Sequence, residues 1–562
     1  MIMTTQPVFR LAAIPKFQCK AVHLLLLVSV VTIFLFNRTF LAMFWSGVNI
    51  SSAHDVLFAL SVPLFMVIVM TLLTSLLSLV VGLRLAIMIN FAFAALVSYA
   101  TSSFGIVFDK EMLRNIFETN SQEAFSYVNL SVIGYGLLAV LVPVVIMMRI
   151  RFRDTFKQRV VSVFAVNVLG VLGVIAIAAL FYKDYAAFFR NHKELTKYIT
   201  PVAAYDSTYK YVRDTYFTEP TPFKMLDPAP QLNPYVANST TLTVMVVGET
   251  ARADHFQLQG YPRETTPNLD REKVHYFSSV SSCGTATAVS VPCMFSRLNR
   301  DEYDHFTAEH QDNALDIIQR AGVEVAWVDN NSSCKGVCKR VPSFTVEPNE
   351  DSGECNKDTC YDSVLVTAVK QYITHSNRPH KLLVLHMIGS HGPTYYQRYP
   401  ATFRRFTPDC QQSDIQNCSN EALINTYDNT IAYTDYVLGE IIEVLKHSGI
   451  DNTQLLYVSD HGESLGESGL YLHGFPYALA PESQTHVPML FWQNLQSDYA
   501  GVNRDCEGIF ASQTISHDNV FDMLLGMTGV ESIAYRPENN AFSHCDMSLA
   551  GILSDYPVAA AP

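Results

Sequence analysis

Three apolar, strand-length runs in this chain each end on hard oxygen or nitrogen donors. Thr243-Val-Met-Val-Val-Gly reaches Glu249, Leu455-Leu-Tyr-Val-Ser reaches Asp460-His461-Gly462-Glu463, and Leu382-Leu-Val-Leu reaches His386 and then Ser390-His391-Gly392. Residues just past the carboxyl ends of parallel strands line the crevice where ligands bind. One such carboxylate is as readily a helix cap, but three strand ends in one domain favour a metal. Glu249, Asp460 and His461 supply two carboxylates and an imidazole. That mixed set suits Zn²⁺ or Mn²⁺ better than the oxygen-only preference of Mg²⁺ and Ca²⁺.

A nucleophile for such a site lies in Ser281-Ser-Cys-Gly-Thr-Ala-Thr-Ala-Val-Ser-Val-Pro-Cys293, which is dense in hydroxyls. A disulfide across it would fix one hydroxyl, and Thr285, Thr287 and Ser290 all qualify on chemistry alone. A hydroxyl on Zn²⁺ is acidified enough to attack near neutral pH. A helix opening after Gly284 would aim its first N–H groups at a phosphoryl group. His391 and His473, each followed by glycine, have the chemistry to bind a second metal or steady phosphate oxygens, although lone histidines are more often structural. Lys335, inside Asn330-Asn-Ser-Ser-Cys-Lys-Gly336, either meets a phosphate or is a solvated loop lysine.

The elements that must position these groups follow from periodicity. After about residue 240, strand-like runs at 243–247, 324–328, 382–386, 455–459 and 488–492 alternate with helical patterns at 312–321, 361–375 and 421–447. That alternation predicts an α/β domain with a largely parallel, doubly wound sheet. Upstream, apolar stretches near 21–36, 56–80, 85–104, 131–149 and 161–182 are each long enough to cross a bilayer, giving five spans. The organisation expected is a transmembrane domain over 1–182, an aromatic interfacial segment and proline-rich linker over 183–239, and a catalytic domain over 240–562. Arg149, Arg151, Arg153, Lys157 and Arg159 place the loop after the fourth span in the cytoplasm, with the basic N-terminus. Five spans then put the catalytic domain outside.

The cysteines agree with that side. Cys19 stands alone, and the other ten follow residue 280, with close pairs at 283/293, 334/338, 355/360 and 410/418 and with Cys506 and Cys545 left over. Short spacings of this kind suggest disulfides in an oxidising compartment. The 334/338 spacing also permits zinc ligation, but the cysteines pair economically without it. The net charge of −13 argues against a nucleic-acid partner. Between the third and fourth spans, Met112, Ile116 and Phe117 recur at helical spacing, predicting an amphipathic helix at the outer membrane surface. Asn115, Thr119 and Glu123 would share one face of it, which is also what a plain solvated face would show.

Val247-Gly-Glu-Thr-Ala-Arg-Ala-Asp254, Cys283-Gly-Thr-Ala-Thr-Ala-Val-Ser-Val-Pro-Cys-Met-Phe-Ser296, Gly389-Ser-His-Gly-Pro-Thr-Tyr-Tyr396 and Ser459-Asp-His-Gly-Glu-Ser-Leu-Gly-Glu467 together resemble the lipid A phosphoethanolamine transferases. These are the EptA-type enzymes of Gram-negative inner membranes, related to the mobile colistin-resistance enzymes. The resemblance runs from the first span to about residue 540, beyond which the tail is idiosyncratic. It implies an alkaline-phosphatase-like (sulfatase-like) fold with zinc, phosphatidylethanolamine as donor, lipid A as acceptor, and a periplasmic catalytic domain, with a monomer expected. By motif match, Glu249, Thr287, Asp460 and His461 fall on zinc ligands, and Thr287 on the nucleophile. Thr285, Glu302, Asn331, Lys335, His391 and His473 match substrate or second-metal positions, and Asn115, Thr119 and Glu123 a membrane-side substrate contact. Alternatives are the same chemistry on a core sugar or glucan, phosphoglycerol transfer, or a metal-binding membrane sensor or transporter. The hydroxyl nucleophile argues against a sensor, and the absence of clear helical repeats argues against a transporter.

Overall fold

The computed structural model describes residues 17–119, 124–125, 127–217, 221–234, 236–349, 353–355, 359–495 and 513–542. The chain divides into two compact units, residues 1–102 with 130–209, and residues 103–129 with 210–562.

The first unit is helical. Ala53–Val81, Leu83–Phe104, Leu130–Arg149 and Phe156–Asn191 are each long and apolar enough to cross a membrane. A fifth crossing requires the pair Ala21–Phe36 and Arg38–Gly47 to count as one span, and that pair bends by 69°. The break falls at Asn37, whose buried side chain ties it to a remote segment: Nδ2 donates to Thr200 O at 2.9 Å, and Oδ1 accepts from Thr200 N at 2.7 Å. The boundary near Arg84, which the apolar pattern alone does not locate, is set by Gly82 at φ +80°, a backbone state that suits glycine. The aromatic stretch 182–191, expected as a separate anchor, simply continues the last long helix. Phe17–Cys19 pairs in parallel with Ile150–Phe152, so this segment lies beside the start of the basic loop.

The second unit is built on a seven-stranded sheet. Its strands are β1 (Thr241–Gly248), β2 (His275–Phe277), β3 (Glu324–Asp329), β4 (Ser343–Thr345), β5 (His380–His386), β6 (Asn452–Ser459) and β7 (Met489–Leu495), in the spatial order β2-β7-β6-β1-β5-β3-β4. β6, β1, β5, β3 and β4 run in parallel, while β7 opposes both β6 and β2. The expected strand at 488–492 is therefore the antiparallel member. The helical patterns materialise as Ala314–Arg320, Ser363–His375 and Asn420–Lys446. Successive strand side chains point to opposite faces. Met245 and Val247 of β1 accordingly join Val325, Trp327, Leu382, Val384, Leu456 and Val458 in one core with Leu315, Ile318 and Leu524. Val244 and Val246, on the other face, are equally buried. A sheet covered on both faces forces its polar groups to the strand ends, and β1 and β6 stop side by side, Gly248 level with Ser459.

Candidate metal and nucleophile site

Because β1 and β6 end in register, the next residues of each strand, Glu249 and Asp460-His461, emerge together. Each is at most 1% exposed. One ligand atom from each of the three lies within 4.8 Å of the others. His461 Nε2 is 3.5 Å from Glu249 Oε1 and 3.3 Å from Asp460 Oδ2. The His461 tautomer is fixed from outside the cluster: Nδ1–H donates to Gly462 O at 2.9 Å, so Nε2 turns a lone pair inward. Asp460 is oriented likewise. Its Oδ1 accepts from Thr250 N at 3.1 Å and His461 N at 2.7 Å, while Oδ2 is buried and turned toward His461 Nε2, 3.3 Å away.

The three inward atoms are therefore all acceptors. Burying such a set is costly unless a cation joins it. Burial raises the Asp460 carboxyl to about 6 and lowers the His461 imidazole to about 4, the charge of His473 adding to the latter. A neutral imidazole and two carboxylates fit a divalent ion such as Zn²⁺, with Thr287 as fourth donor.

The Cys283–Cys293 loop brings a hydroxyl up to this cluster. Cys283 and Cys293 form the expected disulfide, and a helix spans Thr287–Met294, opening three residues later than Gly284. Thr287 Oγ1 is 3.1 Å and 3.3 Å from the two Glu249 oxygens and 3.4 Å from His461 Nε2. The two rival hydroxyls are committed elsewhere. Thr285 Oγ1 donates to Phe475 O at 2.6 Å, and Ser290 Oγ accepts from Gly284 N at 2.8 Å. The local structure thus separates three hydroxyls that composition leaves equivalent.

Around this centre, Asn331 Nδ2 donates to Glu249 Oε2 at 2.8 Å and to Met387 O at 2.9 Å. The His473 ring lies 4.4 Å from that of His461 and 5.8 Å from that of His391, and its Nδ1 is 3.2 Å from Glu463 Oε2. Lys335 is buried inside the Cys334–Cys338 loop with φ +47°, its Nζ donating to Ser332 Oγ at 2.9 Å. Glu302 stands apart, exposed on the turn Arg300–Glu302. Asn115 lies on the helix Lys110–Glu118 and Thr119 caps its end, Oγ1 donating to Asn115 O at 2.5 Å; Glu123 lies outside the described residues. The apolar stripe of that helix splits. Met112 and Leu113 are buried in this unit, where a Cβ on Gly474 would collide with Met112 Cε, whereas Ile116 and Phe117 are exposed.

Four further groups lie at the site: Glu463 and His386, which the sequence shows only as strand-end donors, and Asp329 and His517, which no motif contains. Glu463 is visible in the Asp-His-Gly-Glu run, and burial raises its carboxyl to about 8. His386 Nδ1 lies 3.2 Å from Asp329 Oδ2, and His386 Nε2 is 3.4 Å from Asn331 Nδ2. Burial depresses His386, but the Asp329 charge and hydrogen bond outweigh it, so its pKa is raised. His517 bridges the nucleophile loop and β6, accepting from Cys283 N at 3.1 Å and donating to Ser459 O at 3.0 Å. No local signal marks His517. The pairs 355/360 and 410/418 are also bonded, Cys19 is free, and Cys506 and Cys545 lie outside the described residues.

Comparison with known proteins gives this geometry a context. Residues 66–216 match the family described as phosphoethanolamine transferase EptA/EptB, and residues 241–530 match the sulfatase family. Phosphoethanolamine transferase EptA of Escherichia coli (strain K12) is 41% identical over 524 residues, covering 91% of this chain and 94% of that protein. Phosphatidylethanolamine transferase Mcr-1 from Escherichia coli is 35% identical over 495 residues, covering 85% and 90%. Among solved structures, the integral membrane protein lipooligosaccharide phosphoethanolamine transferase A from Neisseria meningitidis superposes with a TM-score of 0.86 at 34% identity, covering 95% of this chain and all (100%) of that one. With that identity to EptA along nearly the whole of both chains, and with a matching solved membrane structure, the chain belongs to the phosphoethanolamine transferase family.

Proposed function

We propose that this chain moves phosphoethanolamine from phosphatidylethanolamine to a phosphate of lipid A, on the periplasmic side of a Gram-negative inner membrane, through a covalent intermediate on Thr287. The observation that carries this reading is the position of Thr287 Oγ1, 3.1 Å from Glu249 and 3.4 Å from His461 Nε2.

Glu249, Asp460, His461 and Thr287 would hold Zn²⁺. When bound, that ion acidifies the hydroxyl and offsets negative charge on the transferring phosphoryl group. Thr287 Oγ1 attacks the phosphorus of the donor, forming a Thr–O–P bond as the P–O bond to diacylglycerol breaks. The hydroxyl proton ends on the diacylglycerol oxygen. A protonated phosphate oxygen of lipid A then attacks the same phosphorus as the Thr–O–P bond breaks, and its proton passes to the departing Thr287 Oγ1. Half-buried Asn331 and buried His461, each fixed by a bond outside the reaction path, keep Glu249 and the nucleophile aligned without reorganisation.

The product carries an added ammonium and less negative charge than a free phosphate monoester, which holds about −1.5 to −2 at pH 7. Basic residues are drawn to anionic lipid surfaces by roughly 1 kcal/mol each. Expression in a susceptible host should therefore raise polymyxin tolerance. The test pairs that phenotype with lipid A mass spectrometry. Wild type should show phosphoethanolamine on lipid A and on Thr287, and Thr287→Ala should show neither and confer no tolerance. Full transfer by Thr287→Ala would eliminate the covalent route. Modification of another envelope glycan, with lipid A untouched, would reassign the acceptor.

A further inference from the structure

Glu249 is held by two loops, one at its carboxylate and one at its main chain, and both converge on a buried carboxylate that the chemistry above does not use. Asp362 is 1% exposed and directly precedes the helix Ser363–His375. An aspartate there commonly caps the free N–H groups of its own helix. The Asp362 side chain makes no such bond. It reaches away instead: Oδ1 accepts from Asn330 Nδ2 at 2.8 Å and from Ile388 N at 2.9 Å, and Oδ2 accepts from Gly389 N at 2.9 Å.

Each of these partners sits beside a contact to Glu249. Asn331, the neighbour of Asn330, donates to Glu249 Oε2 at 2.8 Å. Ser390 N, one residue past Gly389, donates to Glu249 O at 3.0 Å. Gly389 itself has φ +49°, and a Cβ there would stand 2.6 Å from Glu249 O, so the loop lies flat against the Glu249 backbone. One loop therefore orients the carboxylate and the other pins the main chain. Asp362 is the group common to both. A buried carboxylate is expensive to keep, and a helix start can be capped far more cheaply by serine or threonine.

We propose that Asp362 is a positioning residue for Glu249, tying the Asn330–Asn331 loop to the Ile388–Ser390 loop so that the Glu249 carboxylate keeps its aim at Thr287, Asp460 and His461. The proposal rests on the reading of Glu249 as a metal ligand.

Asp362→Asn keeps size but presents an amide to at least one of the three donors. The full-length, purified protein would be compared as wild type, Asp362→Asn, Asn330→Ala and Glu249→Gln. The readouts are Zn²⁺ affinity by chelator competition, kcat and KM at saturating Zn²⁺, and the thermal midpoint. Groups that orient a metal ligand typically alter affinity by about 10- to 100-fold. Asp362→Asn should weaken Zn²⁺ binding within that range and lower kcat with KM unchanged. Asn330→Ala should do the same more mildly, because the two backbone donors remain. A lowered thermal midpoint with wild-type Zn²⁺ affinity and kcat in Asp362→Asn would overturn the proposal, since a purely architectural role predicts that pattern. Should Asp362→Asn fail to fold, wild-type Zn²⁺ affinity in Asn330→Ala would overturn it equally. Glu249→Gln separates the two levels. If it loses Zn²⁺ while Asp362→Asn does not, only the positioning role falls; if it keeps Zn²⁺, the ligand assignment and the positioning role fall together.

Discussion

Both units bury polar side chains, but they satisfy them over different distances. In the helical unit many of the partners are local, although Asn37 reaches Thr200 and Asn90 Oδ1 accepts from Tyr205 Oη. Ser29 Oγ donates to Leu25 O, Thr71 Oγ1 to Val67 O, Thr74 Oγ1 to Met70 O and Asn90 Nδ2 to Ala86 O, each one helical turn back. In the sheet unit the partners are remote. Thr250 meets Asp460, Asn331 meets Glu249, and His517 joins Cys283 to Ser459, across 210, 82, 234 and 58 residues respectively. A hydroxyl bonded to its own helix is finished with and carries no chemistry. Groups that meet only when the sheet forms can be held as acceptors facing one another, which is a condition for binding a metal.

The largest effect that would sharpen this contrast is at Asp460, whose Oδ2 is turned toward His461 Nε2. Asp460→Asn keeps shape and removes the charge. Transfer should fall by more than about a hundredfold, beyond what residues that merely orient a ligand cause. Near-normal turnover with full metal content would mean the cluster is architectural. Next is Asn331, whose amide bridges Glu249 Oε2 and Met387 O. Asn331→Ala should cost roughly tenfold in kcat, the lower end for an orienting group. An effect on KM alone would instead make Asn331 a substrate contact.

The His517 bridge predicts a pH effect. Burial lowers its imidazole from 6.5 to about 3. Between those values the unfolded chain binds a proton that the folded chain excludes, so stability is present above about 6.5 and is lost as pH falls toward 3. The slope from this group is about 1.4 kcal/mol per pH unit. His517→Gln, which can still accept from Cys283 N and donate to Ser459 O, should flatten the difference between denaturation midpoints measured at pH 4.5 and 6.5. Parallel curves for wild type and variant would remove His517 as the source. The smallest effect belongs to the helical unit. Thr74→Val should shift stability by less than about 1 kcal/mol and leave transfer unchanged, because its one bond is to its own helix. A large loss of turnover there would break the division between local and remote satisfaction.

The same division explains which features the sequence makes legible. Strand and helix cores are legible because alternation and 3.6-residue periodicity are local: the runs at 243–247 and 455–459 lie within β1 and β6, and 361–375 nearly coincides with Ser363–His375. The short-range disulfides 283/293 and 334/338 are legible for the same reason. Breaks are harder. The bend at Asn37 depends on Thr200, 163 residues away, and nothing in the apolar run announces it. The helix Lys110–Glu118 shows its apolar stripe in sequence, yet only packing decides that Met112 turns inward to Gly474 while Ile116 and Phe117 stay exposed.

By itself, the sequence determined which residues end the strands and which hydroxyls sit in the Cys283–Cys293 loop. It left Thr285, Thr287 and Ser290 chemically equal, and only the likeness to known enzymes chose among them. The tertiary structure separates them physically: Thr285 donates to Phe475 O, Ser290 accepts from Gly284 N, and Thr287 faces Glu249. It also decided what Asp362 and His517 reach, since neither sits in a motif. The reason is range. Propensity and periodicity act over a few residues, whereas the alignment of a carboxylate depends on donors that arrive from loops tens to hundreds of positions away, once the register of β1, β5, β3 and β6 is set.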